Sequence, residues 1–200
     1  MKRTSTKSKS TPSKLQFQPT PEQVLGPYFL PNSPLSKNLD LTPTKATGNP
    51  FAISGQVIST EGKLISGATV HVWLADPQGV YDNQDSKGSP INLPPDKHRL
   101  RGRVVTDANG RYALQALRPG NYSLSPGGND FRPAHIHLKV DASGYTTLIT
   151  QLYFPDDGYN VEDLEGNDFF KPELVVHMQP ALPDGKTVQR GTFTLVLKKR

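Results

Sequence analysis

The chain is expected to fold as an all-β protein, an antiparallel β-sandwich with long loops and little helix. Three observations carry that expectation. Short runs that alternate apolar and polar side chains recur along the chain, and turn residues punctuate them about every ten positions. With 19 prolines and 17 glycines in 200 residues, few windows are long enough for a helix.

Taken in order, the first paired strands are expected at Ile53 to Ser59 and Ala68 to Leu74, joined through the turn Glu61-Gly62-Lys63. A second hairpin is expected from Arg103 to Thr106, the turn Asp107-Ala108-Asn109-Gly110, and Tyr112 to Leu114, closed by Arg118-Pro119-Gly120 before Tyr122. Further strands follow at Arg132 to Val140, Leu148 to Phe154 and Gly191 to Leu197. Helix is confined to about Val161 to Phe169. Two loops exceed what a hairpin needs, Asp76 to Arg101 and the glycine-rich Ser123 to Phe131, and long loops on a sandwich are where function concentrates.

Before the sandwich, residues 1–19 read as a flexible basic arm, and 20–200 as one domain whose segment 20–50, rich in proline, runs extended over its surface with one short turn after Thr20. The net charge of +5 does not point to nucleic acid. Lys2, Arg3, Lys7, Lys9 and Lys14 all precede the first acid, Glu22, and without them 18 basic face 18 acidic residues. No window approaches the roughly 18 apolar residues of a membrane span, and the N-terminus has no apolar signal core, so the expected location is the cytoplasm, with no membrane partner.

His135 and His137 flank Ile136 in an alternating run, so a strand would place both imidazoles on one face. That geometry suits a metal, although one histidine packed in the core and one solvated would fit the pattern equally well. With no cysteine in the chain, any metal must be held by His, Tyr, Asp or Glu. Tyr81 and Tyr122 each stand beside a long loop. Each alone reads as a packed tyrosine, but a phenolate is a hard anionic oxygen that a strongly Lewis-acidic ion such as ferric iron holds deprotonated at neutral pH. Two imidazoles and two phenolates would neutralise much of a +3 charge.

Five passages in order resemble the intradiol ring-cleavage dioxygenases, the protocatechuate 3,4-dioxygenase and catechol 1,2-dioxygenase group. They are Val72-Trp73-x-Ala75-Asp76-x-x-Gly79-x-Tyr81, Thr106-Asp107-x-x-Gly110-x-Tyr112, Pro119-Gly120-x-Tyr122, Asn129-Asp130-x-Arg132-Pro133-Ala134-His135-Ile136-His137, and Leu148 to Phe154. The wording of the last two stands closest to the protocatechuate branch. The resemblance implies a non-haem Fe(III) held by Tyr81, Tyr122, His135 and His137, with Arg132 and Gln151 beside it. It further implies that Tyr122 takes a substrate proton, that Arg132 steadies negative charge, and that Gly26, Pro27, Tyr28 and Trp73 line the substrate pocket. The implied substrates are O2 and an ortho-dihydroxylated aromatic of catechol, protocatechuate or hydroxyquinol type, cleaved to a cis,cis-muconate-type diacid.

Protocatechuate enzymes divide the iron site and the Gly-Pro-Tyr segment between two unlike chains, whereas this sequence contains both, which suggests a homo-oligomer or a self-sufficient pocket. Leu124 replaces an aromatic of that branch and puts strict protocatechuate specificity in doubt. Two rival readings remain at this stage. The turn and strand grammar also fits transthyretin-like sandwiches that only bind or space, and a structural zinc could fill the same site. His71, His98 and His177 show no partner pattern and are expected to be structural or solvated.

Overall fold

The computed structural model describes residues 17–35, 39–41, 47–124, 131–160, 170–179 and 188–200. The basic arm as far as residue 16, the expected helix at 161–169 and positions 125–130 of the second long loop lie outside the described residues.

Twelve strands are described: β1 (Leu39–Asp40), β2 (Pro50–Ser59), β3 (Thr69–Leu74), β4 (Arg101–Val105), β5 (Arg111–Leu117), β6 (Tyr122–Ser123), β7 (Phe131–Arg132), β8 (His135–Asp141), β9 (Leu148–Tyr153), β10 (His177–Met178), β11 (Gln189–Thr192) and β12 (Leu195–Leu197). The only described helices are the single 3-10 turns Pro95–Lys97 and Pro172–Leu174. One sheet is antiparallel, in the order β4-β3-β8-β9; the other runs β1-β5-β2-β11-β10 with β12 also on β2; β6 and β7 form a small ribbon. Between the two sheets, Val70, Val72 and Leu74 of β3 and Ile136, Leu138 and Val140 of β8 meet Ile53, Val57, Leu114 and Leu195 in one core. The all-β sandwich is therefore as expected, and no described helix is long and apolar enough to cross a membrane.

The pairing departs from the expectation in two places. The second sheet is mixed, because β1 runs parallel to β5, and β11 and β12 run parallel to β2. Parallel partners need a long crossover, and here the whole antiparallel sheet intervenes between β2 and β11. Nor are the two expected hairpins formed. β2 and β3 lie in opposite sheets, as do β4 and β5, while β3 pairs with β4 across the long loop.

The turn residues sit where the sequence placed them, but the chain changes sheets there, so that the apolar faces of β2 and β3 oppose each other across the core. The two crossings hold one another. The Thr106 hydroxyl donates to the Ile65 carbonyl (2.8 Å) and accepts from the Ala68 amide (2.9 Å), while the Val57 amide donates to the Gly110 carbonyl (2.8 Å). Gly110 is left-handed at φ +68°, and a side chain there would press on the Val57 carbonyl.

Two smaller differences share a cause. The chain after Thr20 does not turn; it runs extended along the sandwich, with the Thr20 amide donating to Val196 and the Gln23 amide to Ile149, and turns only at Pro27-Tyr28, after Gly26 (φ +74°). The expected last strand breaks into β11 and β12 at Phe193-Thr194. There the Phe193 carbonyl accepts from the Tyr112 hydroxyl (2.9 Å) and occupies the space a side chain on Gly55 would need, 1.7 Å from a β-carbon placed there.

Because backbone rather than a flexible side chain fills that space, Gly55→Ala should destabilise the fold by at least about 2 kcal/mol. Urea unfolding checks this: the midpoint falls at unchanged m-value, and an unaltered midpoint contradicts the packing described.

Candidate metal centre

Alternation along β3 and β8 decides what faces away from the core. With Val72 and Ile136 turned inward, Trp73, His135 and His137 must project from the outer face of the antiparallel sheet. Cross-strand register then aligns Arg101 of β4, Trp73 of β3, His137 of β8 and Gln151 of β9 in one row, with His135 opposite Tyr153 beside it. The Trp73 ring stacks on the His137 imidazole, centroids 4.8 Å apart at 6°, which makes Trp73 a wall of the site rather than sandwich core.

Three other segments close over this face. The extended N-terminal stretch brings Gly26 against the His137 ring, where a β-carbon would stand 3.2 Å from Cε1, and buries Tyr28. The long loop delivers Tyr81, stacked on Tyr28 with centroids at 4.3 Å. Tyr122, on β6, stands edge-on to both rings. Pro27 is exposed in its turn. One chain thus supplies both the His-Tyr set and the Gly-Pro-Tyr segment.

The polar atoms converge. Tyr81 Oη lies 3.3 Å from His135 Nε2, which lies 3.1 Å from His137 Nε2. Tyr28 donates to the Gly88 carbonyl (2.6 Å) and stands 3.1 Å from the Tyr122 hydroxyl, so that Tyr122 is tied in through Tyr28. Arg132, on β7 directly opposite Tyr122, donates through Nη2 to Gln151 Oε1 (2.6 Å), and Gln151 in turn donates to the Val24 carbonyl (3.0 Å). His71 packs beneath Phe29 and His98 bonds the Leu93 carbonyl, in structural roles, while His177 is exposed.

Some contributors carry no signal in the sequence. Asp157 accepts from the Ala134 amide (2.9 Å) and the Asn121 side chain, joining the approach to His135 to the neighbour of Tyr122. Tyr153 donates to Gln151 Oε1 (3.0 Å). Arg101, set in a run of arginines that reads as a solvated edge, is wholly buried against Asp82. Only the three-dimensional pairing reveals them.

Electrostatics define what can occupy the convergence point. His135 Nδ1 lies 2.6 Å from the Pro133 carbonyl, a contact that only a donated proton permits, so its Nε2 presents a lone pair. Burial, with help from the Arg132 cation, pushes its pKa down to about 3. His137 is held well below the usual range by burial, then by His135 and Arg132, and its buried Nδ1 has no hydrogen-bond partner among the described residues. His137 can donate across to His135 and strand a lone pair on Nδ1, or aim a second Nε2 lone pair at the same point, where a cation would satisfy both Nε2 atoms. Burial raises the Tyr81 pKa, with the charge of Arg132 opposing it, so ionising that phenol also calls for a nearby cation.

Among the described residues no three His, Cys, Asp or Glu side chains gather to hold a metal, so a metal here would depend on tyrosine oxygen. This donor set of two neutral nitrogens and phenol oxygen fits a trivalent, oxygen-seeking ion. A surface groove of about 710 Å³ lies elsewhere, on the mixed sheet beside Ala52, Gln115 and Arg190; one of about 420 Å³ borders Tyr122.

Comparison with known proteins gives a consistent picture. A family model described as Dioxygenase matches residues 24–199. The chain is 34% identical over 194 residues to a chlorocatechol 1,2-dioxygenase of Rhodococcus opacus, covering 90% of this chain and 72% of that enzyme. It is 33% identical over 177 residues to a catechol 1,2-dioxygenase of Candida albicans, covering 82% of this chain but only 56% of that enzyme, so it spans little more than half of that relative's length. Among solved structures, the dioxygenase domain of a dioxygenase and carbohydrate-binding protein fusion from Streptomyces sp. SirexAA-E superposes with a TM-score of 0.69 at 34% identity, over 92% of this chain and 100% of that one. The Rhodococcus and Candida relatives carry catechol-type names, and a leaning toward the protocatechuate branch draws no support from them.

The buried imidazoles have a consequence for the metal-free protein. Folded His135 refuses a proton down to about pH 3, whereas the unfolded chain takes one up near 6.5, so acid favours unfolding. Stability should therefore rise with pH between about 3 and 6.5, by up to about 1.4 kcal/mol per pH unit for each such imidazole. Urea midpoints across that range check it: His135→Gln should flatten the slope, and a wild-type profile already flat there would contradict neutral buried imidazoles.

Proposed function

Because the chain belongs to the intradiol ring-cleavage dioxygenase family, we propose that it is a non-haem Fe(III) enzyme. It cleaves an ortho-dihydroxylated aromatic between the hydroxyl-bearing carbons, using both atoms of O2, to a cis,cis-muconate-type diacid. The observation that carries this reading is the convergence of Tyr81 Oη and His137 Nε2 on His135 Nε2, each within hydrogen-bond distance of it, in a buried site beside Arg132. A sandwich that only spaces or binds has no need to bury two neutral imidazoles nitrogen to nitrogen.

Tyr81, Tyr122, His135 and His137 would hold the metal. When bound, ferric iron supplies the Lewis acidity that keeps phenolates ionised at neutral pH and polarises a chelated catecholate toward O2. The protein's own groups do the rest. His135 is oriented by the Pro133 carbonyl and His137 by the Trp73 and Gly26 surfaces, so neither ring has rotamer freedom to lose on loading. Tyr122, half-buried where Tyr81 is fully buried, is the base that takes one substrate hydroxyl proton on its phenol oxygen, and Tyr28 at 3.1 Å holds that hydroxyl once protonated.

Arg132 remains charged throughout and is held by Gln151, so its guanidinium is a fixed positive source for the negative charge that develops on the substrate. The Tyr28 and Tyr81 stack, with Trp73 beyond, excludes water from the reacting face. Catechol, chlorocatechols and hydroxyquinol are the substrates to try first, since relatives are named for acting on them.

Iron-loaded protein should be red-brown from ferric tyrosinate absorption and should consume O2 with a panel of catechol, chlorocatechol, protocatechuate and hydroxyquinol, forming muconates. Tyr122→Phe and His135→Ala should each lower turnover by about 100-fold or more, beyond the 10 to 100-fold typical of groups that merely support a ligand. Zinc-loaded or empty protein should be colourless. Undiminished O2 uptake in both variants would reject the ligand assignment.

A further inference from the structure

Resting on that reading of the site, we propose that Arg101 is a positioning residue: its guanidinium pins the Tyr81 loop and the Tyr28 segment to the strand row that carries His137, and so fixes where Tyr81 stands. Its side chain is 0% exposed. Nε donates to Asp82 Oδ1 (2.9 Å), Nη2 donates to Asp82 and to the Asn83 side-chain oxygen, and Nη1 donates to the Tyr28 carbonyl. Asp82 and Asn83 directly follow Tyr81 in the chain, and Tyr28 stacks on the Tyr81 ring.

At its other end the arginine is fixed by β4, where it lies opposite Trp73, the residue stacked on His137. Asp82 is committed as well, its second oxygen accepting from the Arg99 amide (2.9 Å) and the Leu100 amide (3.1 Å). One planar cation therefore joins three stretches of chain. The distribution of its partners separates positioning from plain stabilisation. None belongs to the sandwich core; all lie within two residues of Tyr81 or on Tyr28 itself. Lysine could keep the charge but not the fork that reaches carboxylate, amide and carbonyl together.

Hydrogen exchange on the full chain tests the assignment without metal. In Arg101→Gln, amides of residues 26–30 and 81–84 should exchange at least about tenfold faster than in the wild type, while those of β8 and β9 keep their protection. After iron loading, the same variant should show a shifted tyrosinate band and at least about a tenfold lower kcat at similar KM. Should Arg101→Gln fail to fold, Arg101→Lys gives the same comparison. Unchanged protection in both segments would overturn the proposal, as would uniform acceleration that includes β8 and β9. A wild-type chain without a tyrosinate band would instead count against the iron reading, since the exchange comparison needs no metal and decides the role of Arg101 by itself.

Discussion

Two neutral imidazoles facing one another at 3.1 Å, buried on a rigid strand, are the constraint on which the rest of this structure depends. Nitrogen lone pairs aimed at a common point are unfavourable unless something positive stands between them. Burial disfavours an added proton, because a charged imidazole would lose its hydration, and a neutral His137 that donates across to His135 leaves its own buried Nδ1 lone pair unmet. The fold therefore holds a site whose natural complement is a cation, and the surrounding architecture can be understood as what keeps the site in that state.

The sheet does the first part of that work. A strand fixes the separation and direction of alternate side chains, and flanking strands in register add Trp73 and Arg101 on one side and Gln151 on the other. Had His135 and His137 stood on a loop, small changes in φ and ψ would let each ring find its own partner. The second part falls to the three covering segments, which are irregular and rely on polar ties: Tyr28 on Gly88, Asp82 on Arg101, and Asp157 on Ala134 and Asn121. Rigid floor and tied cover together place tyrosine oxygen beside imidazole nitrogen although the residues are 54 positions apart.

The floor was legible in the sequence and the cover was not. Alternation in His135-Ile136-His137 is a local property, so the shared face followed from strand geometry, and the turn residues at 107–110 were found where expected. Pairing of the strands is not legible in the same way, because a tight turn with Asp, Asn and Gly looks the same whether the chain returns within one sheet or crosses to the other. What decides it is which apolar faces must meet across the core, a long-range fact. Arg101 was invisible for a related reason: an arginine beside Arg99 and Arg103 reads as solvated, and only the fold shows that its carboxylate partner lies 19 positions upstream. Trp73 and Tyr28 could be marked only through resemblance, since a buried aromatic carries no sign of which side of a sheet it serves.

An asymmetry among the four proposed ligands gives the site its direction. Tyr81, His135 and His137 are at most 3% exposed, and their backbones are held by the antiparallel sheet or by the Arg101 network. Tyr122 is half-buried and rides on a two-stranded ribbon whose other strand carries Arg132. A two-stranded ribbon is the least stable kind of pairing, so of the four it is Tyr122 that can shift at least cost. Its hydroxyl already has a polar neighbour in Tyr28, so moving away from a metal would not leave that oxygen without a partner. Because Tyr122 and Arg132 face each other across the ribbon, a shift of the tyrosine acts on the segment that carries the guanidinium. Displacement of Tyr122 from a metal and placement of the positive charge would thereby be coupled through a single pair of opposed residues.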